Sequence, residues 1–167
     1  MNLTMPQDRP KNVRIVTLGC AKNEVDSEEI AGVLAGSGWT VDGSADADVT
    51  VINTCGFLES AKRESIEAIK AAVAAKGGGK VIVAGCLAQR LGQELQRLAP
   101  GADAYVGVGQ MARFGEIASS VFGREPFVEA RPPQHLWADV ATRARTGKPW
   151  SAYLKVSEGC DHKCTFC

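Results

Sequence analysis

Short runs rich in β-branched residues alternate along this chain with longer stretches in which apolar residues recur every three or four positions. The run VRIVTLG, residues 13–19, leads into a segment over 23–37 whose Val25, Ile30, Val33 and Leu34 share one helical face, before Gly36 and Gly38 end it. The run DVTVINT, residues 48–54, is followed by SAKRESIEAIKAAVAAK, with Ile66, Ile69 and Val73 at helical spacing and the glycine triplet 77–79 as terminator. KVIVAG, residues 80–85, precedes a helix with Leu87, Leu91, Leu95 and Leu98 on one stripe, closed by Pro100 and Gly101. AYVGVG then leads to a fourth helix carrying Met111, Phe114, Ile117, Val121 and Phe122. Strands joined by helices must cross over, and runs apolar throughout are buried on both faces. The pattern therefore predicts an α/β fold with a doubly wound, mainly parallel sheet. It occupies residues 1–124. The proline-rich and charged stretch 125–149 reads as a linker, and 150–167 as the start of a second domain. Within the linker Arg143, Arg145 and Lys148 read as a solvated charge run; Trp137, and Trp150 at the start of the second part, read as packing anchors between the two parts.

Composition narrows the function classes. Basic and acidic residues number 19 each, so no positive field draws phosphate backbones, and nucleic acid is an unlikely partner for this portion. The amino terminus has no apolar run of signal-peptide length, and no stretch approaches the roughly 20 apolar residues of a membrane span. A cytoplasmic protein with no membrane partner is expected. In that compartment the 6 cysteines are not expected to pair as disulfides, which leaves metal ligation or thiol redox chemistry.

The cysteines fall into two groups. Cys20, Cys55 and Cys86 each sit just beyond the carboxyl end of a predicted strand and just before a helix, so all three point to one rim of the sheet. Ligands of open α/β sheets bind at that rim, where helix amino termini favour anionic groups and lower thiol pKa values. Gly19, Gly56 and Gly85 flank them, and a residue without a side chain lets backbone amides approach a bulky inorganic cluster. One cysteine in such a place is ordinarily a small buried hydrophobe; three at the same topological position favour a shared metal site. A structural zinc site would want a fourth protein ligand, and this block supplies no fourth cysteine or histidine.

The second group closes the chain. Cys160, Cys164 and Cys167 are spaced C-x3-C-x2-C, tight enough for one loop to give three thiolates to a single cluster while one metal corner stays free of protein. A zinc-binding structural module and a thiol redox protein using CTFC are the alternatives from other classes. His162, inside the loop, reads as solvated rather than as a ligand.

The terminal spacing, with Phe166 before the last cysteine, resembles the signature of radical S-adenosylmethionine enzymes. With the three upstream cysteines it is similar to the methylthiotransferases, and LGCAKNEVDSE, INTCGFLESAKRESI, AGCLAQR and AYLKVSEGCDHKCTFC most resemble the RimO type. The resemblance implies two 4Fe-4S clusters, one on Cys160, Cys164 and Cys167 that reduces S-adenosyl-L-methionine to a 5'-deoxyadenosyl radical, and one on Cys20, Cys55 and Cys86 that carries or donates sulfur. Phe166 would lie beside the adenine. It further implies methylthiolation of an aspartyl residue of protein twelve of the small ribosomal subunit, with a sulfur donor and an electron donor as partners. The tRNA methylthiotransferases of the MiaB type are the runner-up. Such enzymes build their substrate cavity from a partial (β/α) barrel, followed by a TRAM domain. Here only SAYLKVSEG is available as a first barrel strand, so this chain is expected to be inactive alone.

Overall fold

The computed structural model describes residues 11–44, 46–132, 143–157, 162, 163 and 165. Cys160, Cys164, Phe166 and Cys167 lie outside them, as does Trp137. Six strands form one sheet: β1 Asn12–Thr17, β2 Thr40–Val41, β3 Val49–Thr54, β4 Lys80–Gly85, β5 Ala104–Val106 and β6 Phe127–Glu129. Their order is β2-β1-β3-β4-β5-β6, and every pairing is parallel. The helices are α1 Ala21–Gly36, α2 Glu59–Ala75, α3 Cys86–Leu91, α4 Gln93–Leu98 and α5 Phe114–Ser120, the last preceded by a 3-10 turn over Val108–Arg113.

Side-chain alternation along the strands explains why both faces are covered. Val49, Val51, Ile82, Ala84, Ala104 and Val106 face one side and pack with Ile30 and Leu34 of α1 and with Phe114 and Ile117 of α5. Ile52, Val81, Val83 and Tyr105 face the other, against Ile69 of α2, Leu87 of α3 and Leu95 of α4. Each valine, leucine or isoleucine among them, fully withdrawn from water, contributes about 1.5–3 kcal/mol. The doubly wound parallel sheet expected from the sequence is what forms.

Three details differ from the expectation. The leucine stripe after β4 belongs to two helices, because Gly92 takes a left-handed φ of 49° between them, and Leu98 ends up exposed. Phe127–Glu129, inside the stretch read as linker, adds β6 to the sheet edge beside β5. The barrel strand anticipated in SAYLKVSEG is not formed over residues 151–157, which have no neighbouring strand to pair with among the described residues.

The sheet order reverses at β1. The chain runs outward to β2, then returns to place β3 on the other side of β1. Such a switch point leaves a crevice at the carboxyl ends of the two inner strands. At the opposite end Asn12 and Asp48 exchange hydrogen bonds, the Asn12 amide to Asp48 Oδ2 at 2.9 Å and the Asp48 amide to Asn12 Oδ1 at 2.8 Å, which aligns the starts of β1 and β3.

Candidate functional site

The strand register brings β1, β3 and β4 to a common end: Thr17 lies opposite Asn53, Asn53 opposite Ala84, and Thr54 opposite Gly85. Cys20 is the N-cap residue of α1, Cys55 is the first residue beyond β3, and Cys86 opens α3. All three therefore occupy the rim at the switch point, as the sequence indicated. Their environments are graded: Cys20 is exposed, Cys86 half-buried and Cys55 buried.

Gly19 brings the first loop against the second. Its φ is 94°, and a Cβ there would sit 2.8 Å from Cys55 Sγ and 2.4 Å from Cys55 Cβ. Only glycine permits that approach. Gly85 has the same need, with φ 97° and a Cβ position 2.3 Å from Asn53 Oδ1. The positions where side chains would stand at Gly19, Gly56 and Gly85 are taken up by Cys55, by Leu87, and by the Asn53 side chain with the Thr54 backbone.

Asn23 joins the three loops. Fully buried on the first turn of α1, it donates from Nδ2 to the carbonyl oxygens of Leu18, at 2.7 Å, and Thr54, at 2.9 Å. Those bonds fix its amide, so Oδ1 faces the thiols, 4.0 Å from Cys20 Sγ and 3.8 Å from Cys86 Sγ. Asn53 supports it from below by donating to Asn23 O at 2.8 Å and to Ser27 Oγ at 2.9 Å. Ser65, buried within α2, accepts from the Cys55 amide and donates to the Cys55 carbonyl, and Arg90 donates to Gly56 O at 2.9 Å. None of these polar residues was singled out in the sequence.

Electrostatics at the rim are mixed. Burial pushes the Cys86 thiol above its ordinary pKa; Lys22 opposes this, while Asp26, Cys55 and Cys20 add to it. The thiolate form of Cys86 is thereby disfavoured, and a bound cation would relieve it. Among the described residues, however, no three His, Cys, Asp or Glu side chains are set to hold a single metal ion. The donor set itself is soft and all-sulfur, suited to iron–sulfur clusters or other thiophilic metals.

The remaining sequence candidates are placed as follows. His162 is exposed. Arg143, read as part of a solvated charge run, is instead drawn against Glu28 on α1. Trp150, read as a packing anchor, stands 79% exposed. A depression of about 690 Å³ lies away from the cysteines, between α2 and the amino-terminal ends of β1 and β3, and is lined by residues such as Arg14, Thr50, Ala68 and Ala72.

Fold and rim together define a doubly wound α/β domain with a three-thiol site at its topological switch point. Residues 12–107, which contain β1 to β5 and all three rim cysteines, match the family described as "Uncharacterized protein family UPF0004", and the chain belongs to that family. It is similar to proteins named ribosomal protein uS12 methylthiotransferase RimO. The protein of that name from Desulforudis audaxviator is 40% identical over 158 residues, covering 93% of this chain and 35% of the relative. Those from Symbiobacterium thermophilum, 39% identical, and Anaeromyxobacter, 41% identical, cover 95% and 93% of the chain and 34% and 33% of themselves. The chain spans about a third of the length of these relatives.

Proposed function

We propose that this chain supplies the sulfur-handling domain, and the beginning of the radical-generating domain, of a RimO-type methylthiotransferase. The observation that supports the reading is the placing of Cys20 and Cys86 on the fixed amide oxygen of Asn23, with Cys55 on the same sheet rim beside Gly19. In this reading Cys20, Cys55 and Cys86 hold one 4Fe-4S cluster and Cys160, Cys164 and Cys167 a second, with Phe166 beside the adenine of S-adenosyl-L-methionine. When bound, the first group supplies sulfur and the second the one-electron reduction of S-adenosyl-L-methionine.

The chain's own residues have definable tasks in that scheme. Cys55, buried and clipped by Ser65, is the rigid ligand; Cys20, exposed at the start of α1, is the one nearest solvent. Asn23 keeps the loops after β1 and β3 at fixed separation through its two carbonyl contacts, so the thiols are organised before any group enters. Its oxygen accepts from the Cys20 and Cys86 thiols while they remain protonated, and those two protons leave when the thiols become ligands.

The substrate is assigned as the small-subunit ribosomal protein uS12, in keeping with the relatives' names and with a chain of no net charge. A sulfur donor and an electron donor complete the partners, in the cytoplasm. The test is a chimera in which this chain replaces the matching third of the Desulforudis audaxviator relative. After anaerobic reconstitution with iron and sulfide it is given S-adenosyl-L-methionine and reductant, with uS12 or with tRNA. A methylthio mass increase on uS12 is expected. Modification of tRNA alone would reassign the substrate, and no modification of either, with the parent relative active, would refute the reading.

A further inference from the structure

Residues 143–157, which lead directly to the terminal cysteine motif, contain no helix or strand, yet they lie against α1 through a set of buried ionic contacts. Glu28, 3% exposed, receives the Arg143 guanidinium through Nε and Nη2, the Thr146 amide at 2.8 Å and the Thr146 hydroxyl at 3.3 Å. The Ala144 amide donates to the Glu28 backbone carbonyl at 3.0 Å. Further along, Lys155 bridges Asp26 at 2.8 Å and Glu29 at 3.2 Å; Asp26 is 1% exposed and also pairs with Lys22 at 2.9 Å. Arg143 in addition donates to Tyr153 O at 2.8 Å, tying the two ends of the segment together.

The apolar side chains of the segment do the opposite. Trp150, Tyr153, Leu154 and Val156 are all more than half exposed. Hydrophobic burial, the usual force that fastens a loop to a domain, therefore contributes little here. Carboxylates as buried as those of Asp26 and Glu28 are tolerable only when paired, so their cationic partners are required and the register between the two elements is specified residue by residue.

Position gives this clasp its consequence. Asp26 lies six residues beyond Cys20 on the same helix, a rise of about 9 Å. Lys155 lies five residues before Cys160, a reach of at most about 18 Å. A segment anchored at Lys155 therefore limits how far Cys160 can lie from the Cys20 end of α1.

We propose that the acidic face of α1, formed by Asp26, Glu28 and Glu29, is a docking register for residues 143–157, and that Arg143 and Lys155 are positioning residues that restrict how far the terminal cysteine motif can stray from the upstream thiol site. The functional consequence rests on the two-site reading above; the docking itself does not. Two measurements separate them. The first is hydrogen exchange of the 167-residue chain, followed by mass spectrometry. The Ala144 and Thr146 amides exchange at least about tenfold slower than in an Arg143→Ala/Lys155→Ala double variant, and 1 M salt reduces that difference. Amides of β1, β3 and β4 stay protected in both.

The second is thiol-to-thiol cross-linking by a bismaleimide in a chain whose only remaining cysteines are Cys20 and Cys160. Cross-linking yield falls several-fold in the double alanine variant and returns in an Arg143→Lys/Lys155→Arg variant that keeps both charges. Equal exchange and equal cross-linking with and without Arg143 and Lys155 would overturn the proposal. So would loss of protection throughout the sheet, since the two cations would then belong to the core. Failure of iron to bind Cys20, Cys55 and Cys86 would instead refute the cluster reading and leave the docking result standing.

Discussion

Asn23 places its side-chain oxygen 3.8 Å from the sulfur of Cys86, a residue 63 positions away in the chain, while its side-chain nitrogen is committed to the carbonyl oxygens of Leu18 and Thr54. One amide therefore connects the loops that follow β1, β3 and β4. An asparagine suits the place because it offers two donors and an acceptor without a charge that would repel thiolates.

Replacing Asn23 by alanine takes the donor from the buried Thr54 carbonyl, at about 1–3 kcal/mol, and from the half-buried Leu18 carbonyl. Asn23→Ala is expected to lower the urea midpoint and also the iron retained by the upstream site. Asn23→Asp keeps the acceptor, loses both donors and adds a negative charge beside the thiols, so it should lose more iron than Asn23→Ala. Iron content and urea unfolding of both variants check this, and equal iron retention by the two would count against the account.

Gly19 and Gly38 both have positive φ, at 94° and 83°, but only Gly19 has a neighbour where a side chain would go. Gly38→Ala should cost about 1–2 kcal/mol from backbone strain alone. Gly19→Ala carries that strain and a collision with Cys55, about 1–3 kcal/mol more. The additional loss should appear with displaced thiols, seen as a changed alkylation rate at Cys55 in Gly19→Ala and an unchanged one in Gly38→Ala.

Thiol reactivity in the metal-free chain should follow burial. Cys20 is expected to alkylate first, Cys86 next and Cys55 last, with the first and last about tenfold or more apart. Peptide mass spectrometry after brief exposure to a maleimide under native conditions reads the order directly.

Asp103 gives the fold an acid-sensitive joint. Burial alone would raise its carboxyl pKa, but the Val81 amide and the Lys80 and Lys76 ammonium groups outweigh it and hold the value below the ordinary 3.8. A carboxyl group whose pKa is depressed on folding stabilises the protein above its unfolded pKa, and that stabilisation is lost as pH falls through the folded one. Wild-type stability should therefore drop more steeply below about pH 4 than that of Asp103→Asn, which is weaker at neutral pH by about 1–3 kcal/mol. Parallel urea titrations across that range provide the check.

The parts of the molecule legible in the sequence are those whose periodicity is long enough to have a phase. β1, β3 and β4 are apolar runs, and α1 and α2 carry repeats of several turns. β2 and β6 escaped because two- or three-residue edge strands have no pattern of their own; they form only where a longer neighbour offers free backbone groups. The break between α3 and α4 escaped because Leu91 and Leu95 keep helical phase across Gly92.

The three rim cysteines were legible from strand-end position, but their organisers were not. On α1 the buried positions Asn23, Ser27, Ile30 and Leu34 form one inward stripe that is polar near the amino terminus and apolar beyond it. A polar beginning to a buried helix face was the available signal for Asn23. For Arg143, a charge run in an aperiodic stretch gave no indication that Glu28, 115 positions away, would neutralise it.

The measurement that bears most directly on the central claim is iron and acid-labile sulfide per chain after anaerobic reconstitution. It is made on the wild-type chain and on a Cys20→Ala/Cys55→Ala/Cys86→Ala variant. Two independent clusters predict about eight irons falling to about four. Four irons in both would confine cluster chemistry to the terminal motif, and no iron in either, with zinc or a reversible disulfide found instead, would contradict the account.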